Sequence, residues 1–158
     1  MADLKPAAQR VQDALHDKGL AVQVRHMPQA TRSAEEAAGA CGCDVGQIVK
    51  SLVFRGRVSG KPYLLLVSGA NRVNEQGIAA AIGEALRRPD ADDVRAITGF
   101  AIGGIPPLGH TVPLTTFMDA ALLDYAVVWA AAGTPDAVFA VAPDRLATAA
   151  AATVIAVS

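Results

Sequence analysis

The stretch Gly46-Gln-Ile-Val-Lys-Ser-Leu-Val-Phe54 has the composition of a β-strand inside a sheet, because Ile, Val, Leu and Phe fill most of it. Side chains alternate between the two faces of a strand, so Lys50 shares a face with Ile48, Leu52 and Phe54. A lysine among such neighbours either lays its stem over them with the ammonium in water or points into a cleft where it has a task. The pattern alone leaves both alternatives open.

The segments around this strand predict interleaved strands and helices. The polar stretch 55–60 is typical of a hairpin loop, and Ser33-Ala-Glu-Glu36 has the form of a helix-capping box. Because hairpins dominate the expected connections, we predict a mixed sheet with flanking helices in one domain spanning 1–158. The predicted strands are 20–25, 46–54, 63–68, 113–117, 125–130, 137–142 and 153–157, and the predicted helices are 6–18, 33–40, 73–87, 92–98, 119–123 and one beginning at 143.

Composition excludes several classes of protein. A net charge of −1 over 158 residues argues against strong non-specific binding to polyanions, although a local basic patch stays possible. The N-terminal residues lack the apolar core of a signal peptide, and no apolar run is long enough to span a membrane. Cys41 and Cys43 are too close for an ordinary disulfide or a zinc site, so we expect two half-buried thiols near a helix end. These features fit a reducing cytoplasm.

The second informative stretch is Phe100-Ala-Ile-Gly-Gly-Ile-Pro-Pro-Leu-Gly-His110, which is apolar without regular periodicity. Paired glycines let a ligand approach the main chain, and the prolines after them stiffen the loop. The N–H groups of Gly103, Gly104 and Ile105 suit an oxyanion hole, while the alternative is a rigid connection between elements. Motifs for nucleotide binding, metal binding or a Ser-based triad do not occur, so we expect neither a cofactor nor a metal.

Taken together, these segments resemble the YbaK/prolyl-tRNA synthetase editing-domain family of aminoacyl-tRNA deacylases. The similar segments are 34–38, 46–54, 103–109, 125–133 and 141–146, in matching order and spacing. The resemblance implies an α+β fold with a mixed, partly barrel-like sheet, and a trans-acting hydrolase that cleaves the ester of a mischarged tRNA carrying a small amino acid. The alternatives are a non-catalytic module that binds the same aminoacyl end or a small acyl ligand, and a purely structural domain.

The resemblance also assigns roles to residues. Lys50 matches the essential lysine of the family, and the attacking oxygen would come from water or from the neighbouring ribose hydroxyl. The chain departs from the family pattern at two places, both where the pocket would limit the size of the substrate's amino-acid side chain. Pro106 replaces a common Ser or Thr, and His26 and Met27 replace an aromatic or hydroxylated residue. The mischarged tRNA is the expected partner, and an aminoacyl-tRNA synthetase is a further candidate. The expected substrate contacts are Gly103, Gly104, Ile105, Pro106, His110, Met27 and Ser68. The candidate RNA contacts are Arg55, Arg57, Lys61 and Arg72, for which a solvated polar loop is the alternative.

Overall fold

A computed structural model describes residues 4–158. The expectation that the N-terminus lacks a signal peptide concerns a segment whose first three residues lie outside the described part. Within residues 4–158, no helix is both long enough and apolar enough to cross a membrane. The helices α1 to α5 span Pro6–Asp17, Ala34–Cys41, Glu75–Ile82, Ala91–Thr98 and Pro143–Ala149. The strands β1 to β8 span Arg25–His26, Ile48–Gly56, Pro62–Ser68, Leu86–Arg87, Thr115–Asp119, Val128–Ala131, Ala137–Val141 and Thr153–Ile155.

The strands form one mixed sheet, as predicted, in the order β1-β7-β6-β2-β3-β5-β8, with β4 also paired to β2. Antiparallel hairpins join β2 to β3 and β6 to β7. Parallel pairs join β2 to β6, β3 to β5 and β5 to β8, so crossover connections are as prominent as hairpins. The strand β2 therefore lies at the centre of the sheet, between β6 and β3.

Both faces of β2 are covered by apolar side chains, in the alternation that the sequence predicts. Val49 and Val53 pack into the larger core cluster under α1 and α4. Phe54 belongs to a smaller cluster on the other face, and Leu52 packs against it. Lys50 lies on this second face and is half-buried. The parity argument for Lys50 is thus confirmed.

The strand predicted at 20–25 is wrong, because a buried side chain takes the place of a neighbouring strand. The Gln12 amide donates to the carbonyl of Val22 at 2.9 Å and accepts from the N–H of Val24 at 2.8 Å. These bonds satisfy the main chain of an extended segment without a sheet ladder. Regular pairing begins only at Arg25, where β1 meets β7.

The helix predicted at 73–87 is shorter than expected. Asn74 caps its start by accepting from the N–H of Gly77 at 3.1 Å. The helix ends at Ile82 because Gly83 adopts a left-handed conformation with φ of 105°. Leu86 and Arg87 then form the short strand β4 beside β2. The helix predicted at 119–123 is a 3-10 helix over Ala120–Asp124, capped by Asp119. The other predicted elements are found with their ends shifted by a few residues, and Ser33 caps α2 by accepting from the Glu36 N–H.

Candidate active site

The central strand β2 has an interrupted edge. On the edge opposite β3, β6 pairs with β2 only at Ile48 and Val49, and β4 pairs with it only at Arg55 and Gly56. Within the described residues, no strand pairs with positions 50–54 along this edge. The sheet therefore parts between β2 and β6, and an opening forms beside Lys50.

The alternation of hydrogen bonds shows which main-chain groups face this opening. Gly69 donates to the Ile48 carbonyl at 2.7 Å, and Gly56 donates to the Lys61 carbonyl at 2.9 Å. Antiparallel pairs bond at every second residue, so the main-chain groups of residues 48, 50, 52, 54 and 56 face β3. Those of Ser51 and Val53 consequently face the opening and make no bond in the ladder.

A cavity of about 350 Å³ fills this opening. Its walls are mostly small or apolar, the charged side chains among them are Arg32 and Lys50, and no described Asp, Glu or His lines it. The wall residues come from four places: the segment before α2 and α2 itself, β2, the loop after Phe100, and the β6–β7 hairpin. They are Thr31, Arg32, Ser33, Ala34, Ala37, Cys41, Ile48, Val49, Lys50, Ser51, Leu52, Ile102, Gly103, Ile105, Trp129, Ala130, Ala131, Pro135, Ala137 and Val138.

Lys50 is held in the cavity wall by the loop that follows β3. Its Nζ donates to the main-chain carbonyl of Asn71 at 2.6 Å. The Asn71 side chain donates to buried Asp119 at 3.0 Å, and its N–H donates to the Ser68 carbonyl at 2.9 Å. An ammonium has three N–H donors, so this arrangement fixes the head group and leaves donors for a ligand.

The surroundings of Lys50 shift the pKa of its ammonium group. Burial lowers the pKa of Lys50 below its ordinary value of 10.5. Of the neighbouring charges, Glu35 raises this pKa, Arg72 lowers it and Asp119 raises it. A partly desolvated ammonium interacts more strongly with an anion or a polarised carbonyl than one in bulk water does.

Ser51, next to Lys50, carries a hydroxyl without a partner. Ser51 is one of the residues that line the cavity, and its buried Oγ makes no hydrogen bond within the described residues. A buried hydroxyl without a bond is costly, so an orphan of this kind beside a cavity indicates a ligand contact. The sequence shows no triad around Ser51 and no other local signal for it, because its place at the cavity depends on where β6 stops pairing with β2.

The glycine-proline loop contributes two of its predicted residues to the cavity, Gly103 and Ile105. The Gly104 N–H donates to the Ala101 carbonyl at 3.1 Å, and the Gly104 carbonyl accepts from the Gly133 N–H at 2.8 Å. The N–H groups of Gly103 and Ile105 make no bond within residues 4–158, so these are the donors that a ligand can use. Gly104 is buried against the β6–β7 turn instead of the cavity.

Four other predicted substrate contacts do not line the cavity. Ser68 is buried and donates its hydroxyl to the Gly46 carbonyl at 2.7 Å. His110 donates from Nε2 to the Pro106 carbonyl at 2.7 Å, and burial lowers the pKa of this imidazole while the bond raises it. The Met27 N–H donates to the Asp136 carbonyl. These residues, with buried Pro106, brace the segments that form the walls.

The arginines predicted for RNA contact are largely engaged within the protein. Arg55 donates to both oxygens of Asp93, at 2.6 and 2.8 Å, and to the Gly60 carbonyl at 2.8 Å. Arg57 donates to the Leu86 carbonyl at 3.1 Å, and the Lys61 Nζ lies 5.6 Å from the centre of the Tyr63 ring. Arg72 is exposed near Lys50. The hairpin loop is therefore a braced structural element, and Arg72 is the one of the four that adjoins the cavity.

Cys41 and Cys43 are both free and half-buried at the end of α2, as the sequence predicts. Cys41 lines the cavity, whereas Cys43 does not. Burial is the main cause that raises the pKa of each thiol. Both are therefore neutral at neutral pH, and Cys41 acts as a small apolar part of the wall.

Comparisons with known proteins agree with this geometry. A solved structure described as a candidate trans-editing enzyme for prolyl-tRNA synthetase is 47% identical, covers 99% of both chains and has a TM-score of 0.93. A candidate Cys-tRNA(Pro)/Cys-tRNA(Cys) deacylase, EbsC of Enterococcus faecalis, is 27% identical over 72% of this chain and 70% of its own length. A proline–tRNA ligase of Limosilactobacillus fermentum is 33% identical over 54% of this chain, which corresponds to 16% of the ligase.

The sequence profile of the aminoacyl-tRNA editing domain matches residues 28–149. That range contains every segment that forms the cavity wall, from the residues before α2 to the β6–β7 hairpin. With the fold, the cavity and the profile in agreement, the chain belongs to the aminoacyl-tRNA editing domain family.

Proposed function

We propose that this protein is a trans-acting deacylase that hydrolyses the ester between a small amino acid and the 3′ end of a mischarged tRNA in the cytoplasm. The observation that carries the proposal is the fixed, partly desolvated Lys50 ammonium in the wall of a small, mostly apolar cavity. The family membership and the similarity to EbsC support it. The match to a proline–tRNA ligase supports an aminoacyl-tRNA synthetase as a further partner.

The size of the cavity favours a small amino acid. Its volume of about 350 Å³ is near the lower end of the range of ligand pockets, about 300–1,000 Å³. The walls near β6 and α2 carry Ala34, Ala37, Ala130, Ala131 and Ala137. Such walls accommodate an amino acid with a short side chain and provide no charged partner for its tip.

The polar groups around the cavity match the charges that develop during ester hydrolysis. Water attacks the carbonyl carbon, the carbonyl oxygen becomes an oxyanion, and the bond to the ribose oxygen then breaks. The remaining donors of Lys50 and the N–H groups of Gly103 and Ile105 stabilise the oxyanion and the leaving oxygen. The ribose oxygen leaves with a proton from the water, which yields a free amino acid and an intact tRNA end.

No described Asp, Glu or His lines the cavity, so the protein supplies no evident general base from its wall. The ribose hydroxyl next to the ester provides a polar group within the substrate itself. We therefore propose that the substrate assists the attack on its own ester, while the protein supplies position and charge.

Replacing Ser51 with alanine is expected to weaken substrate binding and to leave the fold as stable or more stable. The variant loses a ligand contact, so KM should rise about tenfold, the equivalent of roughly 1.4 kcal/mol. The free energy of unfolding should stay equal or rise by about 1 kcal/mol, since a buried hydroxyl without a partner is removed. Steady-state kinetics and urea unfolding measure the two effects.

Ser68→Ala is the matched control for stability, because its hydroxyl has a partner at 2.7 Å. It should lower the free energy of unfolding by about 1 kcal/mol or more. If Ser51→Ala also destabilises the protein and leaves KM unchanged, the hydroxyl of Ser51 has a structural role instead.

The pH dependence of hydrolysis should report the altered pKa of Lys50. Because burial lowers this pKa, the charged form is lost at a pH below the ordinary 10.5 as the solution becomes alkaline. The rate, corrected for spontaneous hydrolysis of the ester, should therefore fall with a midpoint below 10.5. Arg72→Gln should move the midpoint upward, and Glu35→Gln should move it downward. Shifts in the same direction for both variants would contradict the assignment of this midpoint to Lys50.

The proposed activity is tested directly with a panel of tRNAs charged with small amino acids. Release of labelled amino acid is followed with wild-type protein and with Lys50→Ala. We expect the wild-type protein to cleave at least one member of the panel with multiple turnovers. Tight binding of the same tRNAs without any turnover would show a non-catalytic binding module.

A further inference from the structure

Three arginines lie at or near residues of the cavity wall, and each comes from a different segment. Arg32 lies in the cavity wall, just before α2. Arg25 lies on β1, and its Cζ is 4.8 Å from the centre of the Trp129 ring, which lines the cavity. Arg72 follows β3 and is close enough to Lys50 to lower its pKa. We call Arg25, Arg32 and Arg72 the arginine rim.

The side chains of the rim are free of ion pairs. The ion pairs found within residues 4–158 join Lys5 and His26 to Asp136, and Arg55 to Asp93. None of the three rim arginines takes part, and all three are exposed. Glu35 on α2 and buried Asp119 are the carboxylates that act on Lys50, so the three rim arginines and Lys50 still leave a positive excess near the opening. Although the protein has a net charge of −1, positively charged side chains without ion pairs are therefore concentrated at its candidate active site.

The geometry of the proposed substrate places anions at this opening. When the amino acid occupies the cavity, its ester-linked ribose must lie at the opening, and the phosphates of the last nucleotides must follow the surrounding surface. Guanidinium groups bind phosphate through two parallel hydrogen bonds, and exposed bases of single-stranded RNA stack on Trp and Arg planes. The half-buried Trp129 ring with Arg25 over one face offers such a platform.

We propose that Arg25, Arg32 and Arg72 bind the phosphates of the single-stranded 3′ end of tRNA, and that the Arg25–Trp129 pair stacks with one of its bases. This inference rests on the proposed function, because it names how the same site holds its substrate. It moves RNA recognition from the braced hairpin of Arg55, Arg57 and Lys61 to the opening of the cavity. Affinity then depends on a few contacts close to the ester.

Salt dependence tests the rim, because each phosphate contact on a single strand contributes about −0.7 to the slope of log affinity against log salt. In the variant Arg25→Gln/Arg32→Gln/Arg72→Gln, the slope of log kcat/KM against log salt should become less negative by about 2. At low salt its kcat/KM should fall roughly tenfold or more, mainly through KM. The matched control is Lys18→Gln/Arg95→Gln/Arg145→Gln, which removes three exposed positive charges away from the cavity. It should keep the wild-type slope.

A binding measurement separates this inference from the proposed catalysis. Trp129 is the only tryptophan in the chain, so its fluorescence reports a ligand at the opening. A short single-stranded RNA ending in CCA should change this fluorescence with wild-type protein and with Lys50→Ala, and should bind the rim variant at least tenfold more weakly. RNA binding through the rim without hydrolysis of any panel member would overturn the proposed activity alone. The role of the rim would be overturned if the rim variant kept both the wild-type salt slope and the wild-type RNA affinity. It would also be overturned if the salt slope became less negative in Arg57→Gln/Lys61→Gln and not in the rim variant.

Discussion

Lys50→Ala is expected to lower kcat/KM for a cleaved aminoacyl-tRNA by about a hundred- to a thousandfold, the usual effect of removing one donor from an oxyanion site. The lost group is an ammonium that Asn71 holds at 2.6 Å in a partly desolvated wall. The fold should persist, because Lys50 is half-buried at the open edge of β2 and its removal relieves a desolvated charge. Single-turnover release of the amino acid, compared with the thermal midpoint of unfolding, measures both effects.

Two further variants sharpen this result. Lys50→Arg keeps a positive charge, but its larger planar head does not fit the position held by Asn71, so it should remain strongly impaired. Lys18→Ala removes an exposed lysine outside the cavity and should retain wild-type rates. Activity within a few-fold of wild type in Lys50→Ala would exclude a catalytic role for Lys50.

Gly104→Ala is expected to damage both stability and catalysis. A Cβ at this position would lie 2.8 Å from the main-chain carbon and oxygen of Gly133 and from Cα of Thr134. These are backbone atoms, so the two loops must move apart, at a cost of about 1–3 kcal/mol. Their separation would also stretch the bond between the Gly133 N–H and the Gly104 carbonyl and would widen the cavity. Urea unfolding and kcat/KM should both show the loss.

The control for this variant is Gly39→Ala, in the middle of α2, where an added Cβ meets nothing within 4 Å. Alanine is the better helix former, so this change should stabilise the protein by about 0.5–1 kcal/mol. A Gly104→Ala protein with wild-type stability and reduced activity would show that this glycine serves ligand approach instead of packing between the loops.

The predictable parts of this structure are those whose signals are local in the sequence. The alternation of side chains along β2 predicted that Lys50 shares a face with Leu52 and Phe54. The Ser-x-x-Glu spacing predicted that Ser33 caps α2. Local composition also indicated the loop with Gly103 and Ile105, which lines the cavity and in which Gly103 adopts a positive φ of 100°. Each of these conclusions depends on residues within a few positions of one another.

The parts that the sequence missed depend on distant partners. The Gln12 side chain bonds the main chain of Val22 and Val24, ten and twelve positions away, in place of a neighbouring strand. The Arg55–Asp93 pair joins residues 38 positions apart. No periodicity records such contacts, so the sequence did not show that Arg55 is engaged within the protein, and the RNA contact of the hairpin stays a prediction. The place of Ser51 likewise became visible only when the pairing of β6 with β2 was seen to stop at Val49.

The parting of the sheet also places Lys50, the proposed catalytic residue, and the alanines proposed to bound the amino-acid side chain on different elements. Lys50 depends on the β2–β3 hairpin and on Asn71 behind it, whereas Ala130, Ala131 and Ala137 belong to β6 and β7 across the gap. A larger or smaller residue on the far side changes the room for an amino-acid side chain without moving the ammonium. If Lys50 is the catalytic residue, as proposed, the selectivity of this cavity can change one alanine at a time while the ammonium keeps its position.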